Sequence, residues 1–139
     1  ARAAYTNMVP TTSGATIATT EAIPELKGKF DGLAVRVPVI DVSLSDFVFV
    51  VKKKVTSAQV NSAFRKAAKH PMYRGVLGVT DEPLVSSDFI KSPYSAVVDL
   101  PLTTVVDGTL VKVMAWYDNE WGYSCRLAEM AVEVGKRLK

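Results

Sequence analysis

Arg36 is the residue of this sequence whose surroundings most clearly require a binding partner. It lies between valines in the apolar stretch GLAVRVPVI, residues 32–40, which is typical of a buried strand. A guanidinium keeps its charge, so burying it requires an anionic partner. That partner could be the carboxylate of Asp31, Asp41 or Asp46, or an anion from outside the chain, and the sequence leaves these alternatives open.

A second candidate anion site is the sequence TTSG, residues 11–14, at the start of a predicted helix. The first N–H groups of a helix have no partner within it, and together with hydroxyl groups they suit a phosphate. An ordinary cluster of helix-capping residues is the alternative interpretation. Arg36 and this helix start together would suit one phosphate group through charge-assisted hydrogen bonds.

Asn119 is a third candidate, in the segment AWYDNEWGYS, residues 115–124. It lies among aromatic residues where a predicted strand gives way to a predicted helix. Its side chain can cap that helix, or its amide can pair with the amide of a ligand. Both roles stay open.

The residues that usually perform covalent or acid–base catalysis are scarce. The only histidine, His70, precedes Pro71 at the predicted end of a helix, where the helix dipole favours a protonated ring as a cap. The only cysteine, Cys125, has no histidine near it in sequence, and we expect it to pack as a small, half-buried side chain. No metal-ligand spacing and no glycine-rich dinucleotide loop is present. The sequence therefore predicts no complete catalytic apparatus and no metal site.

The composition is typical of one globular domain with a real core. The chain has 139 residues, of which 48% are apolar and 22% charged. The net charge of +3 is modest, and the basic run at residues 52–54 is short, which argues against nucleic-acid binding. No apolar run could cross a membrane, the N-terminus lacks the apolar core of a signal peptide, and a single cysteine allows no internal disulfide. We therefore expect a cytoplasmic protein with no nucleic-acid or membrane partner.

Alternating apolar residues predict the strands that must position these candidates. The predicted strands cover residues 30–40, 44–54, 74–80 and 95–100, followed by a hairpin over 103–117. Asp107 and Gly108 suit a two-residue type I′ turn in that hairpin.

Three helices are predicted from spacing and capping residues. The first covers residues 10–23 and is interrupted by Pro24, and the second covers residues 56–70, with a capping box of Thr56 and Gln59. The third begins at Trp121. Its inner face would consist of Leu127, Ala131, Val134 and Leu138.

Hairpins and long connections outnumber strand–helix–strand units, which indicates an α+β fold with a mainly antiparallel sheet and helices on one face. The strands at 46–51 and 110–117 carry apolar side chains on both faces. We therefore expect the second face to meet another part of a longer chain or another subunit.

Four segments of the chain resemble phosphorylating glyceraldehyde-3-phosphate dehydrogenases, and they follow one another in the order found in that family. They are PTTSGAT, PELKGKFDGLAVRVPV, GVLGVTDEPLVSSDF and VKVMAWYDNEWGYS. The resemblance covers essentially the whole chain. It implies that residues 1–139 are part of the catalytic, C-terminal domain of such an enzyme, an α+β domain whose second sheet face helps to build a homotetramer.

The resemblance also implies roles for five residues. Ser13, at a position where the family usually has threonine, would hold inorganic phosphate through its hydroxyl together with the N–H of Gly14. Arg36 matches the arginine that binds the phosphate of glyceraldehyde 3-phosphate. Asn119 matches the asparagine that orients the nicotinamide carboxamide of NAD, and Tyr123 matches a tyrosine packed near that ring.

The rest of the family's apparatus would precede residue 1. In the family, a cysteine thiolate attacks the aldehyde, hydride passes to NAD, and phosphate cleaves the resulting thioester to 1,3-bisphosphoglycerate, a step of glycolysis. A histidine acts as acid and base. Neither Cys125 nor His70 matches these residues, and the dinucleotide-binding domain is absent from this chain. We therefore expect the chain alone to contain no catalytic residue and to be inactive.

Two other interpretations stay open. The chain could be a non-catalytic fragment that acts as an interaction or assembly module, and the missing initiator methionine fits a processed or partial chain. It could also be a fragment of erythrose-4-phosphate dehydrogenase, which shares much of the pattern. The sequence NEWGYS, residues 119–124, is more similar to the glyceraldehyde enzyme.

Overall fold

The chain divides into two units, Ala1–Ile40 and Asp41–Lys139, and the computed structural model describes residues 2–138. Each unit has its own β-structure. The division falls at the end of the apolar stretch that contains Arg36.

The first unit is built around a two-stranded antiparallel ladder. Its regular elements are a 3₁₀ turn at Ala4–Thr6, β1 at Val9–Thr11, α1 at Ala15–Ala22, a 3₁₀ turn at Pro24–Leu26 and β2 at Ala34–Arg36. In the ladder, Val9 lies opposite Arg36 and Thr11 lies opposite Ala34. Helix α1 ends before Pro24, as the sequence predicts, because proline cannot continue the helix.

The predicted strand over residues 30–40 is wrong in both length and burial. Only Ala34–Arg36 form a strand, and Val35, Val37 and Val39 are each about half exposed. Strand β2 pairs with β1 alone, and none of the described residues of this unit is buried. An apolar pattern leads to burial only where a second layer covers it, and no second layer covers this ladder within the unit.

The second unit contains a four-stranded sheet and two of the three α-helices. Its regular elements are β3 at Ser43–Val50, α2 at Ser57–Lys69, a 3₁₀ turn at Pro71–Tyr73, β4 at Leu77–Thr80, a 3₁₀ turn at Ser86–Phe89, β5 at Ala96–Val106, β6 at Leu110–Tyr117 and α3 at Trp121–Arg137. The strand order is β3-β6-β5-β4, with β4 parallel to β5 and the other neighbours antiparallel. The predicted α+β fold with a mainly antiparallel sheet is therefore confirmed.

Strand β5 joins two segments that the sequence analysis separates. The predicted strand 95–100 and the first arm of the predicted hairpin form one strand, with a register shift between Asp99 and Thr104. This irregularity accommodates Pro101, which cannot donate a ladder hydrogen bond. The turn at Asp107 and Gly108 is as predicted, since both residues have positive φ, 49° and 73°, as a type I′ turn requires.

The core lies between the sheet and α2. Its buried residues come from the two central strands, β5 and β6, and are Val98, Leu100, Val111, Val113 and Ala115. Val60 and Phe64 of α2, four positions apart on one face of the helix, pack against them. The capping box of Thr56 and Gln59 is also confirmed. On the opposite face of β3, Val48 and Val50 are exposed, as expected for a surface that another part or subunit would cover.

Helix α3 differs from its prediction along most of its length. The predicted inner face, Leu127, Ala131, Val134 and Leu138, is exposed, with Leu127 at 58%. The only fully buried residue of this helix is Gly122, in its first turn. The spacing correctly indicates an amphipathic helix, but no described element of the unit packs over its apolar face. None of the helices within residues 2–138 is long and apolar enough to cross a membrane.

Candidate functional site

Arg36 is exposed at the end of β2, so its predicted burial is wrong. Two of the carboxylates considered as partners are engaged elsewhere. Asp46 forms an ion pair with Lys112, with 2.8 Å between Oδ2 and Nζ, and Asp31 accepts the N–H of Gly32 at 2.7 Å. Within the described part of its own unit, Arg36 forms no ion pair, and its guanidinium is available to an external anion.

Ser13 and Gly14 stand at the start of α1, as predicted, although the cap differs in detail. The N-cap residue is Gly14, and the hydroxyl oxygen of Ser13 accepts the N–H of Ala15 at 3.2 Å. A serine hydroxyl has one proton to donate besides its acceptor capacity. The O–H of Ser13 therefore stays available as a donor at the helix start.

The ladder separates Arg36 from the helix start along the strand direction. Ser13 follows Thr11, which lies opposite Ala34, whereas Arg36 lies opposite Val9 at the other end of the ladder. Ala34 and Arg36 are about 7 Å apart along β2. If both features bind anions, this separation favours two neighbouring positions over one shared position.

His70 and Cys125 occupy the structural positions expected of them. His70 is the C-cap of α2 and is exposed, and Cys125 is half-buried in α3. The ring also makes a local contact, because Nδ1 of His70 accepts the N–H of Met72 at 3.2 Å. Within the described residues, no group of three or more acidic, histidine or cysteine side chains could hold a metal ion.

The strand-to-helix junction at the end of β6 is organised by Asp118, which the sequence analysis did not single out. Asp118 is only 2% exposed. Its Oδ1 accepts the N–H groups of Glu120 at 3.0 Å and Trp121 at 2.7 Å, and its Oδ2 accepts the N–H of Lys91 at 2.7 Å. Asp118 therefore caps α3 and ties it to the loop that contains Lys91.

These hydrogen bonds also determine the charge of Asp118. Burial opposes the ionised form and by itself would raise the pKa of the carboxyl. The N–H groups of Trp121, Lys91 and Glu120, with a smaller contribution from the side chain of Asp41, stabilise the carboxylate and together outweigh burial, so the pKa of Asp118 is lowered. A negative charge at this junction is thus compensated mainly by backbone N–H dipoles, including those at the start of a helix.

Asn119 does not cap the helix, which removes one of the two roles left open for it. Its Oδ1 accepts the hydroxyl of Ser43 at 3.1 Å, across 76 positions of sequence. No side-chain hydrogen bond within residues 2–138 uses its Nδ2, and the residue is exposed. The amide therefore offers two N–H donors to whatever occupies the space in front of it.

Asn119 and Tyr123 line the same open cleft, of about 310 Å³, together with Ser95, Tyr117, Asp118, Gly122 and Arg126. Tyr123 follows Asn119 by one helical turn, and its side chain is 68% exposed. The helix start is held tightly against the connection that precedes β5, because a Cβ on Gly122 would lie 2.8 Å from the carbonyl oxygen of Tyr94. The structure thus brings an amide and a phenol ring together on a fixed support.

Sequence reasoning missed both residues that hold Asn119. The signal for Asp118 was present, since an aspartate that accepts the N–H three positions later is a common helix cap. It was overlooked because the neighbouring Asn119 offers the same chemistry. Ser43 gives no local signal, because its partner is 76 positions away and only the pairing of β3 with β6 brings them together.

Comparison with known proteins identifies the family to which this chain belongs. The family model described as the C-terminal domain of glyceraldehyde 3-phosphate dehydrogenase matches residues 1–119. The chain belongs to the glyceraldehyde-3-phosphate dehydrogenase family.

Individual relatives match nearly the whole chain. Glyceraldehyde-3-phosphate dehydrogenase 2 of Bacillus subtilis is 52% identical over 139 residues, 100% of this chain and 41% of its own length. Glyceraldehyde-3-phosphate dehydrogenase of Zymomonas mobilis is 50% identical over 138 residues, 99% of this chain and 41% of its own length. The chloroplastic glyceraldehyde-3-phosphate dehydrogenase A of Chlamydomonas reinhardtii is 51% identical over 137 residues, with 36% of its length covered. The chain thus spans about two fifths of the length of these relatives.

Proposed function

We propose that this chain is part of the catalytic domain of an NAD-dependent glyceraldehyde-3-phosphate dehydrogenase. The complete enzyme would oxidise glyceraldehyde 3-phosphate and join inorganic phosphate to the product, giving 1,3-bisphosphoglycerate. The relatives are named for that substrate, which favours it over erythrose 4-phosphate. The observation that carries the proposal is the cleft in which Asn119 presents an unpaired amide beside Tyr123 on a support fixed by Asp118.

The chemistry of this cleft fits the nicotinamide end of NAD. A carboxamide presents one carbonyl oxygen and one NH₂ group, and the Nδ2 of Asn119 can donate to that carbonyl. Tyr123 supplies an aromatic surface one helical turn away. NAD, when bound, accepts the hydride, and the part of this chain is to hold the ring in one orientation.

The first unit would supply the phosphate-binding groups. The hydroxyl of Ser13 and the N–H of Gly14 would hold inorganic phosphate, and Arg36 would bind the phosphate of the substrate. Glycine at position 14 supports this assignment. Its φ is −71° and nothing lies within 4 Å of an added Cβ, so neither conformation nor packing requires glycine there. Close approach of a ligand to the backbone at position 14 would give a reason for glycine there.

Assembly and location belong to the same proposal. The exposed apolar side chains of β3 and α3 favour burial against other subunits or domains of a homotetramer. The same exposed surface is what favours the second interpretation, a non-catalytic interaction module. Cytoplasmic location stays a prediction from the sequence, since a chloroplastic relative also matches.

The test is a hybrid enzyme in which this chain replaces the matching segment of the Bacillus subtilis relative. We expect the hybrid to produce NADH from glyceraldehyde 3-phosphate, NAD and phosphate, and the 139-residue chain alone to produce none. A hybrid that assembles with the oligomeric state of the parent yet remains inactive would contradict the proposal.

A matched pair of variants tests the cofactor contact in the hybrid. Asn119→Asp keeps the oxygen that accepts from Ser43 and replaces the Nδ2 donor by a second oxygen. Because one hydrogen bond to the carboxamide is lost, we expect the Kd for NAD to rise about two- to tenfold. Asn61→Asp is the control, since Nδ2 of Asn61 bonds the carbonyl of Leu100 far along the sheet, and it should leave the Kd for NAD unchanged.

A further inference from the structure

We propose that Ser43 is a positioning residue that holds the side chain of Asn119 in its ligand-binding rotamer. The proposal rests on the proposed function, in which Asn119 contacts the carboxamide of NAD. The hydroxyl of Ser43 donates to Oδ1 of Asn119 at 3.1 Å. With Oδ1 engaged in this way, Nδ2 is the end of the amide that has no side-chain hydrogen bond within residues 2–138.

The sheet fixes the position of the Ser43 hydroxyl. Ser43 is the first residue of β3 and lies opposite Tyr117, the last residue of β6, two positions before Asn119. The contact therefore depends on the register of two paired strands and not on a flexible loop. The preceding Val42 has a φ of 75°, a conformation that costs a β-branched residue free energy, and its N–H is held by Oδ1 of Asp41 at 2.7 Å.

Asn119 is then fixed from two sides. Asp118 accepts the N–H groups of Glu120 and Trp121 and so fixes the backbone at the junction. That leaves the side-chain torsions of Asn119 free, because the residue is exposed and packs against little else. Ser43 removes this freedom before the ligand arrives, and a side chain that is already ordered loses less entropy on binding.

The experiment is a double-mutant cycle in the hybrid enzyme, read by equilibrium binding. Ser43→Ala removes the hydroxyl, and we expect the Kd for NAD to rise about two- to tenfold, the usual cost of immobilising one side chain. Ser43→Thr keeps the hydroxyl and suits a strand, so it should restore the Kd to within about twofold of the starting enzyme. In the Asn119→Ala background, Ser43→Ala should change the Kd no further, because its effect passes through Asn119.

A crystal structure of the cofactor-free Ser43→Ala hybrid gives a readout independent of NAD. We expect Asn119 to occupy more than one rotamer there and a single rotamer in the Ser43→Thr variant. The melting temperature should change little, since the lost hydrogen bond is exposed.

The failures of the two proposals are distinguishable. If Asn119→Ala weakens NAD binding but Ser43→Ala does not, the role of Ser43 is refuted and the cofactor contact stands. An equal effect of Ser43→Ala with and without the Asn119 side chain also refutes it, because Ser43 would then act directly. If Asn119→Ala leaves NAD binding unchanged, the cofactor contact itself is wrong, and the role proposed for Ser43 is overturned with it.

Discussion

Replacing Asp118 should loosen the start of α3 more than any other single change of a polar side chain in the cleft. Asp118→Ala leaves the N–H groups of Lys91, Glu120 and Trp121 without their acceptor at a residue that is only 2% exposed. Hydrogen bonds to a charged group contribute about 1.5–3 kcal/mol each. Because three bonds to one group are not additive, we expect a loss of about 3–5 kcal/mol in the local opening free energy.

Asp118→Asn keeps one acceptor oxygen of the side chain and removes its negative charge and its second acceptor. One oxygen remains and can accept from Glu120 and Trp121, but an NH₂ group now faces the N–H of Lys91. We expect a loss of about 2–3 kcal/mol, since one bond is lost outright and the others lose their charge. The control is Asp88→Ala, which removes a single exposed acceptor, 2.8 Å from the N–H of Val85. Its cost should stay below about 1 kcal/mol.

The assay is native-state hydrogen exchange of the hybrid enzyme, followed at the amides of Lys91, Glu120 and Trp121. It reports the opening of this junction without requiring the whole assembly to unfold. The reasoning is refuted if Asp118→Ala exchanges at these amides no faster than Asp88→Ala does.

The lowered pKa of Asp118 adds a pH dependence with a definite sign. The folded state favours the carboxylate, so its contribution is complete above the unfolded value near 3.8 and is lost as the pH falls from about 4 through the lower folded pKa. The opening free energy should therefore decline below about pH 4 in the starting enzyme. The decline should be smaller in Asp118→Asn, which has no carboxylate to protonate, and identical pH profiles would exclude the mechanism.

Three further predictions follow from contacts and exposure. Arg36→Leu should lower kcat/KM for glyceraldehyde 3-phosphate about tenfold to more than a hundredfold and lower kcat/KM for unphosphorylated glyceraldehyde much less. Arg36→Lys should recover part of the loss. Equal losses for both substrates would exclude the phosphate contact. Gly122→Ala should lower the melting temperature, because its Cβ would meet the backbone of Tyr94 at 2.8 Å. The control is Gly135→Ala on the same helix, whose Cβ meets nothing within 4 Å and which should raise the free energy of unfolding by about 1 kcal/mol. A stabilising effect of Gly122→Ala would contradict the packing. The 139-residue chain alone should self-associate through its exposed apolar residues, which light scattering would detect. A clean monomer at moderate concentration would contradict this prediction.

The elements whose signals are local were predicted from the sequence. The capping box of Thr56 and Gln59 fixes the start of α2, and the Asp107–Gly108 turn fixes the hairpin between β5 and β6. Both signals depend on residues within a few positions of each other, so the sequence contains all the information they need. The parallel pairing of β4 with β5 had no such signal, since it joins segments separated by a 3₁₀ turn and a long connection.

Burial was predicted less well than secondary structure, for a physical reason. The valines around Arg36 and the apolar face of α3 show the correct periodicity and are nevertheless exposed. Periodicity shows which face of an element is apolar, but burial also requires a second surface. For a chain that spans about two fifths of its relatives, that surface can belong to a segment or subunit outside the sequence.

At the junction that contains Asn119, the sequence predicts a candidate site but not the residues that support it. Asn119 was singled out because an amide at a strand-to-helix boundary has two uses, capping and ligand binding. The structure distinguishes them, because Asp118 takes the capping role and leaves the amide of its neighbour free. Adjacent acidic and amide residues can thus divide the two tasks, the charged one satisfying the backbone and the neutral one facing the ligand. This division is physically sensible, because three N–H groups stabilise a buried carboxylate, whereas the carbonyl of a carboxamide ligand needs a donor, which an amide has and a carboxylate lacks.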